Sequence, residues 1–372
     1  MNSVSNAAVH ASRLQPLLTL LATAIPDHTG AVRCAFHDSN LTLSVADNDT
    51  LITVTAALGK SAGPGESGQR LARAITLPFA ALRSAHLLSV TGNRWHVDST
   101  PGDEARIRVT RRLRPPARTA SARTASVDAA SLAALLRAYR TAPGVNTLIV
   151  DATGPTLQVG IDTDLIKAAA KVSPLTVGAA SAIGISLTAA VAALGRLSGE
   201  ITVAVASDHV TFTGAHLSVS VYPTTHGHAQ VPAAPDPGRR CHDVTISVED
   251  WAQYSHANRP PKLDRIPTTH LRVARSATAQ VLQVDTRSGS HCGHADLAAS
   301  TSDSFALDVP WPALCAALAP PVAADATSVR LRSFDPNPVM TPLIASYSGD
   351  VFSGFAAVGA RRPTLASNLA AV

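Results

Sequence analysis

The sequence predicts an α+β protein in which one unit, two helices packed on antiparallel sheet, is written three times in tandem. Three observations carry that prediction. The same order of signals recurs along the 372 residues: an amphipathic helix, an alternating hairpin, a short strand running into a second helix, and closing strands. The landmarks keep their spacing. The alternating strand that begins at Leu41 returns at Leu157 and Leu282, and the strand-into-helix step at Leu77 returns at Ile185 and Leu307, about 120 residues apart each time. Finally, 46% hydrophobic residues against 15% charged suffices for packed cores and excludes a wholly disordered chain, while the length exceeds what one core usually serves. Domains are expected at 1–118, 119–236 and 237–372.

In the first copy, residues 12–24 place Leu14, Leu17, Leu18 and Leu21 on one helical face, with Pro16 tolerable only in the first turn. Leu41, Leu43 and Val45 alternate with polar residues, Asp47-Asn48-Asp49 supplies a turn, and Ile52 and Val54 resume the alternation as a hairpin. After the Gly-rich stretch 59–68, Ile75-Thr76-Leu77 enters a helix at Pro78, carried by Leu82 and Leu87. Trp95-His96-Val97 and Ile107-Arg108-Val109 close the unit.

The second copy opens with Asp128 as a helix cap, followed by Leu132, Leu135, Leu136 and Tyr139 on one side. Leu148 and Val150, a turn at Gly154-Pro155, then Leu157, Val159 and Ile161 give its hairpin. Residues 183–187 form the short strand and 189–197 the second helix. Ile201, Val203 and Val205, then Val210 and Phe212, then Leu217, Val219 and Val221 make a meander. The third copy follows a Pro/Gly/His linker at 224–240. Its first helix, 248–258, is stopped by Pro260 and Pro261, and Leu271 and Val273 pair with Leu282 and Val284. Residues 305–309 lead into a helix holding Trp311, Leu314, Cys315 and Leu318; Val329, Leu331, Leu343, Ala345, Phe355 and Ala357 mark the closing strands.

The formal charge of +5 is local. Arg111, Arg112, Arg114, Arg118 and Arg123 lie in a run without acids, and subtracting them leaves the rest of the chain neutral. Such a run reads as a solvated linker or strand end, or as a phosphate-contacting arm. The four cysteines, Cys34, Cys241, Cys292 and Cys315, are scattered, so a reducing compartment is favoured over a disulfide framework. Residues 14–25 resemble a signal segment, but the stretch before them is nearly uncharged and Pro16 interrupts the apolar core. Residues 175–195 carry no charge, yet serines and glycines dilute them, and a strand followed by a helix explains them better than a membrane span. A soluble, cytoplasmic protein with no membrane partner is expected.

Four stretches, in their order and spacing, resemble a known family. They are Leu14-Gln15-Pro16-Leu17 in the opening helix; the hairpin at 41–58; the step 187–197 into Gly199-Glu200-Ile201 with the meander ending at Val221; and Pro342-Leu343-Ile344 through to 355–361. On these the chain resembles the bacterial DNA polymerase III beta subunit, the sliding clamp, from Ala8 to Arg362. The resemblance implies three DNA-clamp domains arranged as a half-ring, completed by a second subunit into a homodimer with helices lining a central hole. It also implies the role of a processivity factor that encircles duplex DNA without reading sequence and tethers DNA polymerase and the clamp loader through short linear peptides. A protein that slides must hold phosphates loosely through a diffuse positive lining. Arg13, Arg83, Arg137, Arg140, Arg196, Arg259 and Lys262 are the candidates, and each also reads as an ordinary solvated helix charge.

Ring closure, in this resemblance, joins an edge strand of the first domain to one of the third, because open edges otherwise aggregate. By position these are 106–113, with Arg106, Arg108, Arg111 and Arg112, and about 301–308, with Asp303 and Asp308, which suggests closure assisted by opposite charges. The family's apolar peptide pocket maps to Ile161, Asp162, Leu165 and Ile166 of the second-domain hairpin, Val339 and Thr341 of the third domain, and Val358 and Arg361 of the tail. The chain departs most here. Of the family's Thr-Asp-Gly-His-Arg-Leu run only Asp162 matches, residues 226–235 lack its Phe-Pro-Asp-Tyr element, and Val358-Gly359-Ala360-Arg361 replaces Met-Pro-Met-Arg. Gly359 and Ala360 would make one wall smaller and softer.

Competing chemistry is thin. His291-Cys292-Gly293-His294 is the one tight cluster of metal-ligand types, but zinc sites want four ligands; Cys241-His242 could approach in space, and a flexible hairpin tip is the simpler reading. The glycines at 63–68 lack the lysine of a phosphate grip, the aspartates at 162 and 164 read as exposed hairpin residues, and Cys315 reads as core. No catalytic constellation, metal or cofactor is expected. Besides the processivity clamp, two readings stay open: a clamp-shaped interaction protein that is not the main clamp, and a hydrolase or transferase on an unrelated α+β scaffold, motivated only by scattered His and Asp.

Overall fold

The elements of the computed structural model follow one order three times. The first pass is β1 (Asn6–His10), α1 (Ala11–Ala24), β2 (Ala31–His37), β3 (Asn40–Ala46), β4 (Thr50–Ala57), β5 (Ile75–Pro78), α2 (Phe79–Arg83), β6 (Ala85–Thr91) and β7 (Arg94–Ser99). The second is β8 (Arg123–Asp128), α3 (Ala129–Arg140), β9 (Thr147–Asp151), β10 (Thr156–Asp162), β11 (Ile166–Pro174), β12 (Ala182–Ser186), α4 (Leu187–Leu194), β13 (Glu200–Val205), β14 (Val210–Thr213) and β15 (Leu217–Pro223). The third is β16 (Cys241–Ser247), α5 (Val248–Ala257), β17 (Thr268–Arg275), β18 (Gln280–Ser288), β19 (His291–Ser300), β20 (Ala306–Pro310), α6 (Trp311–Ala323), β21 (Ser328–Phe334), β22 (Thr341–Ser348) and β23 (Ser353–Ala360). The structure describes residues 6–26, 30–37, 40–47, 50–57, 74–91, 94–99, 122–223, 229–235, 241–257, 268–275, 280–288, 291–301, 306–334 and 341–360. The expected strand at 107–109, the Gly-rich stretch 59–68 and most of the arginine run lie outside these; Arg123 opens β8.

Pairing repeats with the order. The opening strand of each pass pairs antiparallel with the strand after the second helix: β1 with β6, β8 with β13, β16 with β21. The three strands after each first helix form a meander, β2–β3–β4, β9–β10–β11 and β17–β18–β19. In the first and third passes the strand entering the second helix lies beside the meander's first strand, β5 on β2 and β20 on β17.

The fold separates into two compact units, 1–130 with 175–229 and 131–174 with 230–372. Strands of the segment 119–236 are thus divided between them: β8 and β12–β15 belong to the first, β9–β11 to the second. In the first unit one sheet runs β5-β2-β3-β4-β15-β14-β13-β8, and a smaller one runs β1-β6-β7. In the second, strands follow the order β9-β10-β11-β23-β22-β21-β16-β19-β18-β17-β20.

Alternation decides the faces. Leu41, Leu43 and Val45 of β3 and Ile52 and Val54 of β4 are buried, while on the opposite face Thr42 meets Thr55 at 3.2 Å and Ser44 meets Thr53 at 3.0 Å. Helix α1 buries Leu14, Leu17, Leu18, Leu20 and Leu21, each worth about 1.5–3 kcal/mol of burial. Helix α4 is almost wholly apolar and is capped by Ser186, whose hydroxyl accepts from the Ala189 amide. In the second unit Trp251, Tyr254 and Trp311 join α5 to α6, with ring centroids 5.8–5.9 Å apart, and the Tyr254 hydroxyl donates to the Val284 carbonyl at 3.3 Å.

Several expectations need correction. Helix α2 ends at Arg83, and Leu87 belongs to β6; the Ser84 hydroxyl donates to the carbonyls of Ala80 and Ala81 and closes the turn. The second helix of the middle pass starts at Leu187 and stops at Leu194, ahead of Gly195. Residues 291–294 are not a free hairpin tip but the start of β19, in register with β18.

Candidate functional site

The candidate cations sit at helix ends. Arg83 closes α2, and Arg137 and Arg140 occupy the last turn of α3, where a positive charge complements the carbonyl end of the helix. Arg13 stands in the first turn of α1, and Arg196 follows α4; all five are exposed. Arg259 and Lys262 lie outside the described residues. Within the first unit α1 contacts both α2 and α4, so the helices bearing Arg13 and Arg83 and the one preceding Arg196 form a single cluster.

Sequence reading missed the polar groups beside these cations. Gln15, Thr19, Thr23 and Arg83 line a groove of about 260 Å³ between α1 and α2, floored by Leu18 and Phe79. The Gln15 side-chain amide donates to the Arg83 carbonyl at 2.8 Å, and the Thr19 hydroxyl donates to the Gln15 carbonyl at 2.8 Å. The exposed positions of α1, four residues apart, were the available signal.

Several of the residues expected to line a peptide pocket lie around the β10–β11 turn. Ile161 is the last residue but one of β10, Ile166 opens β11, and Ile166 stands opposite Val358 of β23. The linker approaches too: Val231 and Pro232 lie where a Cβ on Gly160 would fall, at 3.1 and 3.3 Å. Thr163 organises the tip. Its hydroxyl accepts from the Ile166 amide at 3.1 Å, and its own amide donates to the Ile166 carbonyl at 2.9 Å. Asp162 and Lys167 form an exposed ion pair at 3.1 Å, a contact worth little in water. Ile161, Ile166 and Val358 are buried to 2% exposure or less, whereas Leu165 is 56% exposed. Leu165 is therefore the apolar side chain that this tip offers to solvent. Val339 and Arg361 lie outside the described residues; Thr341 begins β22, opposite Ala360.

Of the expected closing edges, Arg106, Arg108, Arg111 and Asp303 lie outside the described residues. Asp308 lies in β20, the terminal strand of its sheet, half-buried, with its carboxylate on Nδ1 of His270. Burial governs the titratable groups that shift. It pushes the Cys34 thiol far up, which makes it inert, and raises the hydroxyls of Tyr139, Tyr222, Tyr254 and Tyr347. None of these belongs to the candidate sites. Among the described residues, no helix is long and apolar enough to cross a membrane.

Solved structures with this architecture exist. The chain matches a DNA polymerase sliding clamp from Bacillus subtilis with a TM-score of 0.66 at 11% identity, covering 97% of this chain and 100% of that one. It has the beta sliding clamp fold. A DNA polymerase sliding clamp from Pseudomonas aeruginosa matches with a TM-score of 0.62 at 13% identity, over 96% and 99% of the two chains. A Helicobacter pylori beta clamp bound to a DNA ligase peptide gives 0.62 at 11%, over 94% and 99%. By sequence, no protein-family model and no curated protein matches. In this clamp fold the three passes of strands and helices correspond to three domains, carried by a sequence far from those of the solved clamps.

Proposed function

We propose that this chain is a sliding clamp: a DNA polymerase processivity factor that closes as a homodimeric ring around duplex DNA. The observation that carries the proposal is the threefold β-α-β-β-β-β-α order, matched over nearly the whole length of solved beta clamps. Its domains fall at 1–118, 119–236 and 237–372. It catalyses no reaction and acts in the cytoplasm as a tether. Arg13, Arg83, Arg137, Arg140 and Arg196, all exposed, supply the diffuse positive lining together with Arg259 and Lys262. Partner peptides from DNA polymerase and a clamp loader dock at the β10–β11 turn beside Val358, and Leu165 forms the accessible apolar wall.

The second reading, a clamp-shaped interaction protein that is not the main clamp, draws on one observation. Three of the residues expected to line the pocket are buried, so a peptide has Leu165 rather than an open apolar trough to grip. Loading onto nicked circular DNA separates the two. A clamp is retained on the circle and lost once the circle is linearised; a simple binder is indifferent to topology. Equal retention on both forms would reject the sliding clamp.

A further inference from the structure

The β10–β11 tip carries a charge pattern that the docking of a peptide on Leu165 leaves unassigned. Its shape is fixed locally. The Thr163 hydroxyl accepts from the amides of Leu165 at 3.3 Å and Ile166 at 3.1 Å, and the Thr163 amide donates to the Ile166 carbonyl at 2.9 Å. Residues 163–166 thus close as one hydrogen-bonded turn. Asp162 and Lys167 flank it and hold each other, with Lys167 Nζ 3.1 Å from one carboxylate oxygen and 3.3 Å from the other. Asp164 lies between them in sequence, exposed, and no cation pairs with it among the described residues. Two carboxylates share one ammonium, and the unmatched negative charge belongs to Asp164.

Leu165 follows Asp164 directly and is 56% exposed. Beyond the Ile166–Val358 pair β23 carries only Gly359 and Ala360, so its own side chains do not cover Leu165. Neighbouring Cα atoms stand about 3.8 Å apart, so a partner that covers Leu165 also strips water from one side of Asp164. What the partner brings to that place then decides the fit. A cation replaces the lost hydration, a neutral group leaves the carboxylate short of it, and a second acid adds repulsion.

We infer that this tip selects peptides in which a lysine or arginine adjoins an apolar side chain, the apolar group on Leu165 and the cation on Asp164. The inference rests on peptide docking at this turn, as proposed above, and adds the charge of the partner. Both groups stay near solvent, so the ion pair discriminates between partners more than it supplies affinity. Its effect belongs to the association rate and fades with salt.

Fluorescence anisotropy with three labelled nine-residue peptides provides the test. Each carries the same two central leucines, flanked on both sides by Lys, Ala or Glu. At low salt the Lys peptide should bind about tenfold tighter than the Glu peptide, with the Ala peptide between them, and the gap should shrink at high salt. Asp164→Lys should reverse the order, and Asp164→Asn should erase it. Leu165→Ser should abolish binding of all three. Melting curves check each fold, and if Asp164→Lys misfolds, Asp164→Asn carries the test. Equal affinities, or an order that survives the Asp164 variants, would overturn the charge selection and leave the docking site standing. No binding of any peptide, or binding untouched by Leu165→Ser, would instead remove peptide docking from this turn and the selection with it.

Discussion

Replacing Gly354 by alanine should open the seam between β11 and β23. Gly354 lies opposite Ala170 on one side and Tyr347 on the other. A Cβ there would stand 2.3 Å from the Ala169 carbonyl oxygen, 2.9 Å from Ala170 Cα and 2.9 Å from the Tyr347 hydroxyl. Two of those three atoms are backbone held by the ladder, so a strand must shift; no side-chain rotation relieves the clash. Overpacking of this kind costs about 1–3 kcal/mol, and the backbone contacts place this case near the upper value. In a unit of this size each kcal/mol lowers Tm by about 2–4 °C, which gives an expected fall of about 6–12 °C. Tryptophan emission is a suitable probe, because Trp251 and Trp311 lie in the same unit as Gly354 and only Trp95 lies in the other. A melting transition within about 1 °C of the wild type would refute the packing argument at this seam.

Three other expectations follow from the same geometry. The tyrosines should resist alkaline titration: burial raises all four hydroxyls, so tyrosinate absorbance at pH 10 should be weaker in the native protein than after unfolding. Because the folded-state values lie above the unfolded ones, stability should hold below pH 10 and fall as pH rises beyond it, a trend that a urea series would detect or exclude. Leu165→Asp should cut affinity for a clamp-binding peptide at least tenfold without moving the melting curve, since Leu165 is exposed; unchanged peptide affinity would remove the pocket from this tip. Arg83→Gln and Arg137→Gln should each weaken binding to duplex DNA regardless of sequence and reduce the slope of log K against log salt by about 0.9. An unaltered slope would mean that these cations serve only their helix ends.

Much of the fold was legible because its repeat is written in hydrophobic periodicity. Leu14, Leu17, Leu18 and Leu21 mark α1, and the alternation at 41–45 and 52–54 marks β3 and β4, all buried as expected. The opening strands β1, β8 and β16 were not. They are short, and β1 (NAAVH) and β8 (RTASVD) hold little more than alanine and valine, so their state is decided by partners far along the chain. Strand β11 hides for a related reason: Ala168, Ala169 and Ala170 are buried, yet three alanines carry no strand signature. Hairpin, linker and final strand converge near Gly160 and Val358, three segments that sequence reading had named together. The burial of Ile161 and Ile166 was not legible, because only the register of β10, β11 and β23 turns them inward.

Electron microscopy of the full chain, alone and incubated with nicked circular DNA, probes the clamp assignment most directly. Particles should appear as hollow two-subunit rings built from six similar lobes, with duplex threading the hole in the DNA sample. Solid particles, or single chains bound along the outside of the duplex, would contradict it.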